Sequence, residues 1–234
     1  MMVIPINVGF FHVETEDDIA TEQGYECARA LVVSVHAVLP GTPVVHFTDT
    51  VSKGVKGAVI KRKPREPMAL LRMRHHAGVE GNWLFVDTDV LVQQSIRPVF
   101  KREFDIGVTT RDWSHLKAAY GFSERMPFNM GVVFSKCPRF WAECYTRLRW
   151  LEPELQEWMG DQEVFCDAIK DAQETGRYLV RQLKGSLYNY PPPVPLKEPS
   201  TQEMLAAACI VHYKGPERKA LMLARIRGER RRCA

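Results

Sequence analysis

The pattern of apolar and polar positions divides the first half of the chain into alternating strands and helices. Ile4 to Phe11 is almost continuously apolar, which predicts a strand buried on both faces. Apolar residues then recur at helical spacing from Thr15, a candidate N-cap, to the stop at Pro40-Gly41. Val44 to Thr48 predicts a second short strand. After a basic loop, Pro67 opens a helix that ends near Gly78.

The middle of the chain continues this alternation. Trp83 to Val86, Phe104 to Thr109 and Gly131 to Phe134 have the apolar character of strands. An amphipathic helix begins after Pro138 and must break at Pro153, and another helix spans Gln162 to Ala172. A polar loop from Arg111 to Pro127 separates the last two of these strands.

Tyr178 to Leu183 and Cys209 to Tyr213 predict late strands around the proline-rich loop Pro191 to Pro195, and Glu217 to Arg232 predicts a helical tail. Strands that alternate with helices are typical of the α/β class, with a mixed, mostly parallel central sheet flanked by helices and antiparallel additions toward the C-terminus. We expect one domain over residues 1–234, in which residues 216–234 are a basic C-terminal helical tail.

Composition excludes several classes of protein. With 234 residues, 45% hydrophobic and 26% charged, the chain resembles an ordinary globular protein, and it contains no apolar run long enough for a transmembrane segment. Met1 to Pro5 lacks the features of a signal peptide. The six cysteines form no C-x-x-C pair, which is typical of reduced thiols. These features predict a cytoplasmic location.

The net charge of +4 is unevenly distributed. Residues 214–234 carry eight basic and two acidic side chains, and residues 53–74 carry eight basic side chains against Glu66. Two basic zones on an acidic body suggest an anionic ligand or surface, although a solvated charge run is the commoner explanation for either zone alone.

Asp87-Thr88-Asp89 is the strongest chemical signal, because it directly follows the predicted strand at Trp83. Residues two apart in extended chain point the same way, so both carboxylates would face one ligand. Two oxygen donors at the carboxyl end of a strand suit Mn²⁺ or Mg²⁺ bridged to a nucleoside diphosphate. The glycine-rich dinucleotide fingerprint and the phosphate-binding loop are both absent from the sequence.

The segment Trp83 to Val92 resembles the metal-binding segment of the GT-A glycosyltransferases, and of glycosyltransferase family 8 in particular. That family includes glycogenin and bacterial lipopolysaccharide galactosyltransferases. Four further segments are similar to the family's motifs in the same order: Phe128-Asn129-Met130-Gly131-Val132-Val133, Gly160-Asp161-Gln162, Leu187-Tyr188-Asn189 and His212-Tyr213-Lys214-Gly215. The resemblance implies a GT-A, Rossmann-like fold.

The resemblance also implies a retaining hexosyltransferase that uses a nucleotide sugar, a UDP-sugar, together with Mn²⁺ or Mg²⁺. The implied metal ligands are Asp87, Asp89 and His212, with Asp87 also contacting the ribose of the donor. The implied donor-binding residues are Arg72, on the helix before the metal strand, and Lys214, Gly215, Arg218 and Lys219 near the diphosphate.

The residues that would line the donor-sugar and acceptor cleft, and so act as catalytic residues, are Asn129, Asp161 and Gln162. Asp161 would either orient the oxocarbenium-like centre or act as the nucleophile. The family's uracil-binding loop contains an Asp, whereas this chain has Phe11-His12-Val13-Glu14-Thr15, which leaves the nucleotide base open.

The two basic zones favour an acidic acceptor. The leading interpretation is a hydroxymethylated base in phage-type DNA, because one basic zone precedes the donor-site helix and the tail is little amphipathic. The alternatives are a saccharide or an anionic glycolipid such as lipopolysaccharide at a membrane surface, and a non-catalytic nucleic-acid-binding protein.

Overall fold

A computed structural model describes residues 4–110, 126–157, 159–193 and 199–232. Its nine strands are β1 (Asn7–Phe11), β2 (Val44–Asp49), β3 (Val59–Lys63), β4 (Trp83–Val86), β5 (Val90–Val92), β6 (Ile106–Thr110), β7 (Phe128–Ser135), β8 (Val180–Leu183) and β9 (Ile210–His212). Seven of them form the central sheet, in the order β3-β2-β1-β4-β7-β6-β8, and β5 pairs with β9 in a separate two-stranded sheet.

The helices cover both faces of the central sheet. They are α1 (Asp18–Val38), α2 (Met68–Ala77), α3 (Arg97–Phe100), α4 (Pro138–Leu148), α5 (Pro153–Glu157), α6 (Gly160–Thr175), α7 (Gly185–Tyr188), α8 (Pro199–Ala207) and α9 (Pro216–Arg232). One apolar core lies between the sheet and α2, α4 and α6, and includes the fully buried Trp141. A second core lies under α1.

The predicted α/β class and mostly parallel sheet are confirmed. Strands β3, β2, β1 and β4 are parallel neighbours, and β6 is parallel to β8. Antiparallel pairing toward the C-terminus is found in β9, which pairs with β5, but the antiparallel member of the central sheet is β7, in the middle between β4 and β6. A continuously buried strand such as β7 carries no alternation that would reveal its direction.

Two local predictions need correction. The N-cap of α1 is Asp17, whose side chain accepts a hydrogen bond from the Ala20 N–H, and not Thr15. The basic loop after β2 contains the edge strand β3, whose residues are almost all exposed. Its Lys61-Arg62-Lys63 run hides the strand pattern, although charge is common on edge strands. Of the predicted loop Arg111 to Pro127, residues 111–125 lie outside the described residues.

The C-terminal helix α9 is attached to the body of the protein. Met222 is fully buried in a third apolar cluster with Tyr213 and residues of α1. Cys27, Cys144, Cys166 and Cys209 are buried free thiols, as expected for structural cysteines. In the described part of the chain, none of the helices combines the length and apolar character that crossing a bilayer requires.

Candidate functional site

Strand pairing brings together residues that are far apart in sequence. The short turn between β4 and β5 carries Asp87 and Asp89, and β5 pairs with β9 so that Val90 lies opposite His212. The Tyr213 N–H also donates to the Asp89 carbonyl at 2.7 Å. As a result, His212 Nε2 lies 3.1 Å from Asp89 Oδ1 and 3.5 Å from Asp87 Oδ2.

This cluster fits a divalent cation. One ligand atom from each of Asp87, Asp89 and His212 lies within 4.8 Å of the other two, a spacing from which the three atoms can converge on one ion. Two carboxylates and one imidazole suit Mn²⁺, and the donors leave positions open for a ligand.

Gly131 provides the space beside this cluster. The Asp87 N–H donates to the Gly131 carbonyl at 3.0 Å, which holds β7 against the end of β4. A Cβ atom at residue 131 would overlap Asp87 Oδ2 and the His212 ring. Glycine is therefore required here for close packing against the cluster, and its φ angle is not the reason.

Arg72 connects the cluster to Asp161 on α6. From α2, its Nη2 lies 2.7 Å from Asp87 Oδ1 and its Nη1 lies 3.4 Å from Asp161 Oδ2. Burial opposes the charge on Arg72, yet the two carboxylates outweigh it and raise the pKa of the guanidinium. Burial likewise would raise the pKa of Asp87, but Arg72, with His212 and Lys214, holds the pKa of this carboxyl below its ordinary value.

Asp161 is the second residue of α6. Burial raises the pKa of Asp161 above its ordinary value, and Arg72 with the Gln162 N–H offsets only part of this rise. The helix begins in a tight turn: Met159 has a φ of 70°, and a Cβ at Gly160 would overlap the Leu155 carbonyl group. This crowding explains the glycine in Gly160-Asp161-Gln162.

Comparison with known proteins concerns the fold. No family model matches the sequence, and no curated protein sequence matches it. The galactosyltransferase LgtC, crystallised with donor and acceptor sugar analogues, superposes with a TM-score of 0.56 at 14% identity over 93% of this chain and 95% of that chain. The glycosyltransferase GlyE from Streptococcus pneumoniae TIGR4 gives 0.55 at 14% identity, over 95% of this chain and 64% of that one. The chain has a GT-A glycosyltransferase fold.

The bifunctional glycosyltransferase WbbM superposes as well, with a TM-score of 0.54 at 11% identity over 95% of this chain and 50% of WbbM. The chain therefore spans half of WbbM and about two thirds of GlyE, but nearly all of LgtC.

The GT-A cleft has a volume of about 470 Å³. It brings together every predicted site residue except Arg218: Arg72, Asp87, Asp89, Asn129, Asp161, Gln162, His212, Lys214, Gly215 and Lys219. Four residues that line it had no role in the sequence analysis, namely Met68, Ala69, Glu157 and Met159. Glu157 also accepts a hydrogen bond from the Met68 N–H at 3.0 Å, which supplies the side-chain cap that the first turn of α2 otherwise lacks.

Two of the predicted catalytic side chains bind the backbone of β7. Gln162 Oε1 accepts from the Met130 N–H at 3.0 Å, and its Nε2 donates to the Phe128 carbonyl at 3.0 Å. Asn129 Oδ1 accepts from the Gly131 N–H at 3.1 Å. Gln162 thus joins α6 to β7. Asn129 supports the backbone of β7 beside the metal cluster.

The basic residues that were predicted to bind a diphosphate have side chains that point in different directions. Lys219 Nζ lies 3.7 Å from Asp89 Oδ2, and Lys214 and Gly215 line the cleft, with Gly215 at a φ of 84° and open space where a Cβ would lie. Arg218 instead donates from Nε to the Pro192 carbonyl at 2.7 Å. Arg218 therefore anchors α9 to the loop around Pro192.

Much of the basic zone at residues 53–74 has partners within the protein. Arg62 donates to the Asp49 and Ser52 carbonyls at 2.8 and 2.6 Å, and Arg65 lies 3.6 Å from Asp49 Oδ2. Arg72 binds the cleft carboxylates described above. In the tail, Arg225 donates to the Tyr213 hydroxyl at 3.0 Å and Arg227 lies 3.4 Å from Glu26. These contacts occupy guanidinium groups that the sequence suggested were available to an acidic acceptor.

Proposed function

We propose that this protein is a metal-dependent, retaining glycosyltransferase that transfers a sugar from a UDP-sugar to a hydroxyl group of a saccharide. The observation that carries this proposal is the cluster of Asp87, Asp89 and His212 on a GT-A cleft. The LgtC structure that the chain resembles holds donor and acceptor sugar analogues, which supports the choice of substrates.

The cluster would hold Mn²⁺ or Mg²⁺ through Asp87, Asp89 and His212. When bound, the cation supplies positive charge that stabilises the leaving nucleoside diphosphate. Lys214 and Lys219 flank the same end of the cleft and add positive charge, and Gly215 allows the diphosphate to approach the backbone.

Arg72 and Asp161 form the sugar side of the site. Arg72 holds the Asp161 carboxylate at 3.4 Å and keeps it oriented beside the cleft, where it stabilises the positive charge that develops at the anomeric carbon. The acceptor oxygen enters on the face from which the diphosphate departs. The bond from the anomeric carbon to the phosphate oxygen breaks, the bond to the acceptor oxygen forms, and the acceptor proton moves to the departing phosphate oxygen.

A saccharide acceptor is favoured over DNA because several of the arginines that suggested a polyanion are engaged within the described part of the protein. Arg62 and Arg65 bind Asp49 and neighbouring backbone, and Arg227 pairs with Glu26. A phosphate-binding surface needs basic side chains that are available to exchange their counterions for phosphates.

The proposal is tested by measuring UDP release from UDP-glucose, UDP-galactose and UDP-N-acetylglucosamine with Mn²⁺, first without an acceptor. Labelled donor is then offered to oligosaccharides, lipooligosaccharide vesicles and hydroxymethylcytosine DNA. We expect Mn²⁺-dependent turnover and label in the saccharide acceptors, with the configuration retained at the anomeric carbon by NMR. The absence of turnover with every nucleotide sugar would contradict an enzyme of this class, and label in DNA alone would restore the nucleic-acid acceptor.

A further inference from the structure

We propose that Asn189 is a positioning residue that holds the His212 ring by accepting a hydrogen bond from its Nδ1, so that His212 Nε2 is the atom turned to the metal cluster. The inference rests on the proposed function for its use of a cation. The arrangement of hydrogen bonds that supports it does not depend on that function.

The backbone N–H of Gly131 begins a chain of hydrogen bonds that reaches His212. The Gly131 N–H can only donate, and it lies 3.1 Å from Asn129 Oδ1. The atom of Asn129 that faces Gly131 is therefore the amide oxygen and not the nitrogen. This assignment settles an orientation that otherwise depends on the choice of amide flip.

The next group in the chain of hydrogen bonds is the Asn189 amide. Its Nδ2 lies 2.9 Å from Asn129 Oδ1 and 2.7 Å from Thr109 Oγ1. Because Asn129 presents an acceptor, the Asn189 nitrogen must face it, and the Asn189 oxygen must face the opposite way. That oxygen lies 2.9 Å from His212 Nδ1.

An amide oxygen can only accept, so His212 Nδ1 must carry a proton. A cation binds an unprotonated ring nitrogen, and with a proton held on Nδ1 the atom left to bind it is Nε2. Nε2 is also the atom that faces Asp89 at 3.1 Å and Asp87 at 3.5 Å. The Gly131 N–H thus determines which atoms donate and which accept along the chain from Asn129 through Asn189 to His212.

Burial and backbone hydrogen bonds hold the His212 ring and Asn189 in this orientation. Asn189 and His212 are each 1% exposed, and Thr109 is fully buried. The backbone also holds the pair in register, because the Asn189 N–H donates to the Gly185 carbonyl and the His212 N–H donates to the Tyr190 carbonyl at 2.9 Å. Hydrogen bonds from ligating histidines to such partners orient the ring and tune metal affinity.

The first test is NMR of the protein with ¹⁵N-labelled histidine at pH 8.5, with His212 assigned by the loss of its signals in His212→Gln. We expect a proton on Nδ1 of His212 in the wild type and in Asn189→Asp, which keeps an oxygen opposite Nδ1. Asn189→Leu, which removes that oxygen, should show exchange between the two ring tautomers. Asn82→Leu is the matched control, because the Asn82 side chain donates to the Pro5 carbonyl on the exposed surface.

The second test is Mn²⁺ binding in the presence of UDP, followed by EPR. Asn189→Leu should bind Mn²⁺ about 10–100-fold more weakly than the wild type, and Asn82→Leu should not differ from it. An unprotonated Nδ1 in the wild type would overturn the inference, even if Asn189→Leu fails to fold. So would an Asn189→Leu variant that keeps both the tautomer and the affinity. If the wild type shows the expected tautomer but binds no Mn²⁺, the metal-dependent function fails and the positioning role stands.

Discussion

Arg72 Nη2 and Asp87 Oδ1 are 2.7 Å apart, and this ion pair joins α2 to the end of β4 at the centre of the cleft. The same guanidinium reaches Asp161 at 3.4 Å. One side chain therefore couples the metal cluster to the carboxylate on α6. Because guanidinium binds two carboxylates through separate nitrogens, an ammonium group cannot reproduce the arrangement.

Replacing Arg72 should impair transfer. Arg72→Gln removes the positive charge between Asp87 and Asp161, and we expect kcat/KM to fall about 100–1,000-fold. Arg72→Lys should lie between Arg72→Gln and the wild type. Arg74→Gln is the control on the same helix, because Arg74 pairs with Glu66 near the surface at 3.4 Å. Equal losses in the Arg72 and Arg74 variants would contradict a specific role for Arg72.

The activity should depend on the ionisation of Asp161. Burial raises the pKa of Asp161, so kcat/KM should fall, as pH is lowered, at a pH above the ordinary range of an aspartate. Arg72→Gln removes a charge that lowers this pKa, and it should move the acidic limb of the profile to still higher pH. An acidic limb that stays in place in Arg72→Gln would show that another group controls it.

The same pKa shift predicts an effect on stability. A carboxyl group whose pKa is raised in the folded state binds its proton more tightly there than in the unfolded chain. Its stabilising contribution is therefore complete below the ordinary aspartate pKa and is lost as pH rises through the raised pKa. Urea unfolding of the wild type and Asp161→Asn should show the Asn variant gaining in relative stability as pH rises; the opposite trend would contradict the sign of the shift.

Gly131→Ala should damage the metal cluster directly. The new Cβ would overlap Asp87 Oδ2 and the His212 ring, and we expect Mn²⁺ affinity to fall by about 10-fold or more. Overpacking should also lower the free energy of unfolding by about 1–3 kcal/mol. Gly228→Ala, where the added Cβ meets open space, should leave Mn²⁺ binding unchanged. Wild-type Mn²⁺ affinity in Gly131→Ala would place the cation elsewhere.

Lys214 and Arg218 should have separable roles. Lys214→Ala removes a charge from the cleft, and we expect the KM for the nucleotide sugar to rise about 10-fold. Arg218→Ala breaks the hydrogen bond to the Pro192 carbonyl and should lower thermal stability with little change in that KM. The reverse pattern would place Arg218 at the donor, as the sequence alone predicted.

The positions of Arg218 and Lys219 show where sequence reasoning reaches its limit. Both follow the His212-Tyr213-Lys214-Gly215 segment, and both were expected near the diphosphate. Because α9 begins at Pro216, consecutive residues point about 100° apart around the helix, and of the two only Lys219 faces Asp89. Sequence distance from Gly215 does not show which side chain faces Asp89, because that depends on the residue at which α9 begins.

The two acidic members of the metal cluster were predictable because their signal is local, whereas His212 was predicted only by the resemblance to the family. Asp87 and Asp89 follow a buried strand, and the alternation of an extended chain places their carboxylates on one side. The role of Asn189 was not predictable, because it depends on contacts with Thr109 and Asn129 from two other strands. The direction of β7 was hidden for a similar reason, since its buried residues favour a strand of either orientation.

The inward contacts of Arg62 and Arg65 affect how a ligand approaches the protein. Arg65 and the Asp49 carboxylate, 3.6 Å apart, act at a distance as a dipole, whose field weakens faster than that of an isolated charge, whereas Arg62 is bonded to backbone carbonyls and keeps its net charge. At about 0.1 M salt, screening further limits the surface charges to roughly 10 Å. The pair of Arg65 and Asp49 should therefore contribute little to the attraction of a nucleotide sugar from a distance.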